Sequence, residues 1–166
     1  MRYRHAEWEL LLDTYTVSNG KSSTTYTRMR VPFVNKDGLY FKIYRESLFS
    51  GIGRYFGMQD IKIGNPDFDD AFVIKGNNEA KIRQLLADPK MKQLIDRQSR
   101  ISFEIRDDEG WFGADYSSGV DVLYFQRVGV MKEVDELKTL FRLFCLTLHR
   151  LVRMDSAYED DPGIKL

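Results

Sequence analysis

The stretch "DIKIGNPDFDDAFVIKG" runs from Asp60 to Gly76 and holds four aspartates, Asp60, Asp67, Asp69 and Asp70. Carboxylates this close can grip a divalent cation, and a metal-dependent hydrolase using Asp67, Asp69 and Asp70 is the catalytic reading the stretch allows. As a calcium loop it fails at the diagnostic places. With Asn65, Asp67 and Asp69 in the first, third and fifth positions, the sixth is Asp70 in place of glycine and the twelfth is Gly76 in place of glutamate. As a turn it succeeds. Gly-Asn-Pro-Asp is dense turn chemistry, Phe68 offers an apolar anchor, and "DIKI" and "AFVIK" read as strands on either side. These carboxylates are therefore expected to accept backbone N–H groups or to pair with Lys and Arg, and so to shape the chain.

Other chemical signals are weaker. "GIGRYFG", Gly51 to Gly57, hints at a phosphate loop, but its third glycine comes one residue late and a strand signal follows where a helix N-terminus is needed. No G-x-S-x-G is present. Cys145 and His149 are one turn apart on a helical pattern, a spacing that packing explains. His5 is the only other histidine, and two histidines with one cysteine do not suggest a zinc site without carboxylates. No cofactor is implied.

Two surfaces look suited to contact instead. In "RDDEGWFGADYSSG", Arg106 to Gly119, acidic residues surround Trp111, Phe112 and Tyr116, and exposed loop aromatics commonly touch a partner. Arg28, Arg30, Tyr40, Lys42 and Tyr44 fall on one face of an expected hairpin, where basic and aromatic side chains can stack on a ligand or grip an acidic group. The partner such faces suit is a protein or an anionic small ligand.

The elements that must position these residues read as follows. "TYTRMRVPFVNKDGLYFKIYRE" alternates on both sides of Lys36, Asp37 and Gly38, which predicts a hairpin with Phe33 opposite Phe41, Val31 opposite Ile43, Arg30 opposite Tyr44 and Arg28 opposite Glu46. Pro32 has no N–H to give, so its strand should be an edge or carry a bulge. Asn77 or Asn78 can cap a helix carrying Ile82, Leu85 and Leu86, and Asp88 and Pro89 restart it through Met91, Leu94 and Ile95. "ISFEIR" and "VDVLYFQRV" are strands, the first pointing Ile101, Phe103 and Ile105 inward. Asp135 to Ala157 is a long helix. Leu137, Leu140, Phe141, Phe144, Leu148, Leu151, Val152 and Met154 form its apolar side, and Lys138, Arg142, His149 and Arg153 a cationic stripe.

Twenty-five basic residues balance twenty-five acidic ones, so no global field draws the chain to nucleic acid or to an anionic membrane. With 43% apolar residues, eleven Phe and nine Tyr, it must fold, and 166 residues suit one core. The apolar runs are too short to span a bilayer, and the single Cys145 fits a reducing compartment such as the cytoplasm. The expected layout is one domain over residues 1–157 and an acidic tail over 158–166.

The motif D-I-x-I-G-x-x-x-F-D-x-x-F-x-I-K-G, carried by Asp60, Ile61, Ile63, Gly64, Phe68, Asp69, Phe72, Ile74, Lys75 and Gly76, resembles one in a family of uncharacterised bacterial domains. The likeness covers about two thirds of the chain. It implies a bacterial domain of a kind often found beside membrane-spanning helices, compatible with a peripheral place near a membrane, and it supplies no catalytic residue. The expected fold is α+β: a twisted antiparallel sheet of six to eight strands, packed by a broken mid-chain helix and a long C-terminal helix. A pleckstrin-homology-like barrel capped by that helix is the alternative. The expected function is a non-enzymatic binding or scaffolding domain.

Overall fold

The computed structural model describes residues 1–45, 58–107, 117–164 and 166. Strands β1 (Arg2–His5), β2 (Trp8–Ser18), β3 (Ser23–Asn35), β4 (Phe41–Arg45) and β5 (Gln59–Asp60) come first. A short helix α1 (Pro66–Ala71), strand β6 (Phe72–Gly76) and helices α2 (Glu79–Leu86) and α3 (Pro89–Asp96) follow. The chain then runs through β7 (Ser102–Arg106), β8 (Val120–Val128), α4 (Val134–Arg153) and β9 (Ala157–Tyr158). All nine strands join one open antiparallel sheet in the order β1-β2-β3-β8-β7-β4-β6-β5, with β9 added to the end of β3. The α+β class holds, and the sheet does not close into a barrel. Two of the strands, β5 and β9, have only two residues.

Alternation sets the two faces. Trp8, Leu10, Leu12, Met29, Val31, Phe33, Phe41, Ile43, Ile74, Phe103, Ile105, Leu123 and Phe125 point to one side and are buried with the apolar residues of α2, α3 and α4 in a single core. The helices therefore cover one face of the sheet, as is common for antiparallel sheets. The helix boundaries follow the capping signals. Asn78 accepts the Lys81 N–H at 3.1 Å to start α2, and Asp88 accepts the Lys90 N–H at 2.8 Å to start α3 with Pro89 in the first turn. Phe144 of α4 packs on Phe103, ring centroids 5.4 Å apart, and Phe103 on Phe41 at 5.5 Å.

Three expectations are corrected. First, β3 and β4 do not form a hairpin: β8 and β7 lie between them, so Phe33 stands opposite Asp121 and Ile43 opposite Phe103 and Ile74. Alternation fixes which face a side chain takes but not which strand lies alongside, and the eight paired positions of β3 with β8 outweigh what the five-residue β4 could offer. The Asn35 side chain instead accepts the Gly38 N–H at 3.1 Å and donates to the Leu39 carbonyl at 3.2 Å, which turns the chain out of β3. Glu46 lies outside the described residues.

Second, α4 ends at Arg153, and Ala157 belongs to β9; Asp155, at a φ of 57°, breaks the helix. Third, His149 is not on a solvent stripe, because its ring packs edge-on against Trp8 and His5. The boundary between 157 and 158 falls inside β9, and Ile164 and Leu166 of the following segment pack against Val120, Val122 and Tyr124. Pro32 sits in a gap on one side of β3, after the β2 ladder ends at Arg30 and before the β9 ladder begins at Val34, where a missing N–H costs nothing.

Gly76 ends β6 where α2 presses closest. A Cβ there would overlap the Ile82 Cδ1 and stand 3.1 Å from the Tyr40 carbonyl oxygen and 3.2 Å from the Ile61 Cδ1. Gly76→Ala is expected to cost about 1–3 kcal/mol by overpacking. Adding Ile82→Val, which deletes the offending methyl, should recover part of that loss even though Ile82→Val alone costs about 0.5–1.5 kcal/mol. Urea unfolding of the two single variants and the double tests the coupling, and simple additivity would contradict the clash.

Candidate functional site

The face of the sheet away from the helices carries the residues singled out for binding, in an order the sequence did not show. Across the strands one row reads Arg2, Leu11, Arg30, Tyr124, Glu104, Lys42, Lys75, Asp60. The next reads Asp13, Arg28, Gln126, Ser102, Tyr44, Val73. Arg28, Arg30, Lys42 and Tyr44 do share this face. Tyr40 does not: its ring packs against the main core, and its hydroxyl donates to Asp121 Oδ1 at 3.1 Å, beside an Asn35 Nδ2 contact to Oδ2 at 2.5 Å. Burial chiefly pushes the Asp121 carboxyl up from 3.8, against the two hydrogen bonds, with the charge of Asp107 adding to the rise.

Carboxylates stand among the cations. Asp13 accepts from Arg28 Nε at 2.7 Å and Nη2 at 3.1 Å, and from Arg30 Nη2 at 2.8 Å. Glu104, 1% exposed, is bonded by Arg106 and lies 3.6 Å from Lys42 Nζ. The Arg106 Cζ lies over the Tyr124 ring, 3.8 Å from its centroid, and that of Arg28 lies 4.9 Å from the Tyr15 centroid. The cations of this face are compensated by carboxylates beside them, unlike a bare cationic stack. Burial lowers the pKa of Lys42 from 10.5; Glu104 opposes the fall and Arg106 adds to it.

Burial pushes the Asp13 carboxyl up, but the hydrogen bond from Arg28 and the charges of Arg30 and Arg28 outweigh it and hold the pKa below 3.8. A depressed carboxylate pKa gives stability that is present above the unfolded-state value and lost as pH falls through the folded-state value. Unfolding free energy is expected to drop as pH falls below about 4. In Asp13→Asn the difference between pH 7 and pH 3 should shrink; urea titrations at both pH values check it, and an unchanged difference would rule Asp13 out as a contributor.

One end of this face is aromatic. Tyr15 and Tyr26 stand opposite each other on β2 and β3 and stack with centroids 5.1 Å apart. The Tyr15 hydroxyl donates to Gln126 Oε1 at 2.9 Å, where the Tyr124 hydroxyl also donates at 3.1 Å. Val17, two residues beyond Tyr15 on the same side of β2, is 52% exposed, and Val128, beyond Gln126 on β8, is 45% exposed. The stacked rings, Arg28 and these two exposed valines all fall on this face of the sheet. Asp13, Tyr15, Tyr26, Glu104, Arg106, Tyr124 and Gln126 were not singled out as a group from the sequence. Their alternation with apolar residues in β2, β3, β7 and β8 was the signal that could have gathered them on one face.

The aspartate stretch folds as a one-turn helix. Asn65 Oδ1 accepts the Phe68 N–H at 3.2 Å and Pro66 occupies the first turn. Asp69 reaches back so that Oδ1 accepts the Ile63 N–H and Oδ2 the Gly64 N–H, each at 2.9 Å, while Lys62 Nζ donates to its carbonyl at 2.8 Å. Phe68 is buried against Phe72, centroids 4.5 Å apart. Asp60 pairs with Lys75 at 2.7 Å, and "DIKI" is strand only at Asp60. Asp67 and Asp70 are exposed, Asp67 lining an open groove of about 270 Å³ with Phe68, Phe72, Lys92 and Asp96. Among the described residues no three His, Cys, Asp or Glu side chains converge where they could share a metal ion, so Asp67, Asp69 and Asp70 are not brought together as ligands. Asp69→Ala is expected to cost about 1–3 kcal/mol by stranding two backbone donors, and Asp67→Ala to stay within about 0.5 kcal/mol. Thermal melts distinguish them, and equal effects would remove the special role of Asp69.

Trp111, Phe112 and Tyr116, and the glycines from Gly51 to Gly57, lie outside the described residues. No helix among the described residues is long and apolar enough to cross a membrane. Comparison with protein-family models, with curated proteins and with solved structures finds no match to this chain.

Proposed function

We propose that this chain is a non-enzymatic binding module that takes a protein partner on the helix-free face of its sheet, at the end formed by Tyr15, Tyr26, Val17 and Val128. The observation that carries the reading is the stacked tyrosine pair with exposed valines around it, set on a plate of charges that are already paired. Tyrosine and arginine are the residues that anchor protein interfaces, and rigid rings lose little entropy on binding. The pairing of Asp13 and Glu104 with the neighbouring cations favours a protein over a small anionic ligand, because a protein surface can match a mixed-charge rim. The lone half-buried thiol, Cys145, fits a reducing compartment, and we assign the module to the bacterial cytoplasm, in line with the motif around Asp69.

A photo-crosslinking amino acid at Val17 or Val128, read in the native host, tests this. Discrete adducts of one partner are expected from both positions, and none from Lys138 on α4. Tyr26→Ala in the same chains should weaken capture by about thirtyfold, the scale of a hot-spot loss of about 2 kcal/mol. Equal adducts from Lys138 and Val17 would overturn the proposal, as would capture indifferent to Tyr26.

A further inference from the structure

The two histidines, 144 positions apart, meet: His5 Nε2 of edge strand β1 lies 2.8 Å from His149 Nε2 of helix α4. Their rings stand nearly perpendicular, with centroids 5.0 Å apart at 81°. Trp8 also packs edge-on against His149, centroids 5.7 Å apart, and Tyr3 of β1 packs on Phe141 of α4 at 5.5 Å, which holds the strand against the helix. We propose that His5 and His149 form a two-imidazole site for a divalent d-block cation, clipping β1 to α4.

The distance suits ligation. Two metal–nitrogen bonds of about 2.0–2.1 Å at a right angle put their donor atoms about 2.9 Å apart, whereas a tetrahedral angle needs about 3.4 Å. The separation therefore matches adjacent corners of a square or octahedral sphere once both rings turn their Nε2 lone pairs to a common point, and must widen by about half an ångström for a tetrahedral one. Imidazole suits Cu²⁺, Ni²⁺ and Zn²⁺, and the right angle favours the first two. Both rings present Nε2, so ligation needs no net loss of protons from the neutral pair. The ring that now donates its Nε2 proton takes the Nδ1–H tautomer and frees a second lone pair. No third His, Cys or carboxylate among the described residues completes the sphere, so water takes the remaining corners and the site exchanges its ion freely. The site is separate from the proposed binding face, because His5 and His149 lie on the helix side of the sheet.

Trp8 supplies the readout. In a Trp111→Phe background Trp8 is the only tryptophan, and Cu²⁺ or Ni²⁺ on the pair would sit within quenching range of its ring. Titration with either ion alone should give saturable quenching with a one-to-one end point. His5→Gln or His149→Gln should weaken it about tenfold to a hundredfold, on the scale of losing a partner from a metal site. Zn²⁺ should raise the melting temperature of the parent chain and not of the double variant. A second measurement needs no variant: long-range ¹⁵N spectra of the imidazoles should show both rings as Nδ1–H with Zn²⁺ present. Quenching that stays linear in metal, or that persists in the double variant, overturns the proposal, and so do imidazole spectra that ignore Zn²⁺. The pair would then be a plain hydrogen bond between neutral rings.

Discussion

Replacing Phe144 with alanine is expected to destabilise the protein by about 3–5 kcal/mol, the cost of emptying a fully buried aromatic site. Phe144 is buried completely, and its ring is the first in a run that continues through Phe103 to Phe41, joining α4 to β7 and β4. A domain of this size holds about 5–15 kcal/mol in all, so the variant should keep its fold at 25 °C with a melting temperature lower by about 6–20 °C. Phe144→Asp buries a charge in the same place and should not fold. Phe144→Leu refills most of the volume and should fall between alanine and the parent. Urea unfolding followed by far-ultraviolet circular dichroism gives the order. A loss under about 1 kcal/mol for alanine would mean that α4 is not the clamp on this sheet.

Glu104→Ala should be the second large effect, at about 3–5 kcal/mol, because removing one partner of a buried ion pair leaves the other buried without it. Glu104 is nearly inaccessible and serves both Arg106 and Lys42, whose side chains are themselves mostly covered. The mechanism has its own signature in pH. Lys42 has a folded-state pKa below 10.5, chiefly from burial, so the unfolded chain binds more protons and stability rises as pH climbs from the folded-state value towards 10.5. Without Glu104 the pKa falls further, and that rise begins at lower pH. Glu104→Ala should therefore regain part of its loss, relative to the parent, as pH climbs towards 10.5. Combining Glu104→Leu with Lys42→Met should be much less costly than Glu104→Ala, since apolar replacement of a whole buried pair is often neutral. A double variant as unstable as the single would show that packing, and not charge, explains the loss.

Much of this architecture was legible in the sequence, and the limits have a physical cause. Alternation told which side each residue takes, so Phe33, Phe41 and Ile43 went to the core and Arg28, Arg30, Lys42 and Tyr44 to the other face. Asn78, Asp88 and Pro89 marked their helix starts because a cap bonds within its own turn. Asp69 was legible as a turn-maker for the same reason, since its acceptors serve Ile63 and Gly64 next door. Partnership across the sheet has no local signature. The turn at Lys36, Asp37 and Gly38 suggested a hairpin, while the true neighbour of β3 lay far down the chain in β8. Glu104 looked like one polar residue in an alternating strand, and neither histidine gave any hint of the other. Those contacts are made by topology, which periodicity does not encode.

The strand order carries a consequence for biosynthesis. A nascent chain that has emerged as far as α3 owns two separate ribbons, β1-β2-β3 and β5-β6-β4, and nothing that can lie between them. Only when β7 and β8 leave the exit tunnel can the halves be sewn together, so closure pairs residues as remote as Val31 and Leu123. Such late, long-range stitching makes for slow maturation and leaves the raw edges of β3 and β4 open to wrong pairing or to a chaperone in the interval.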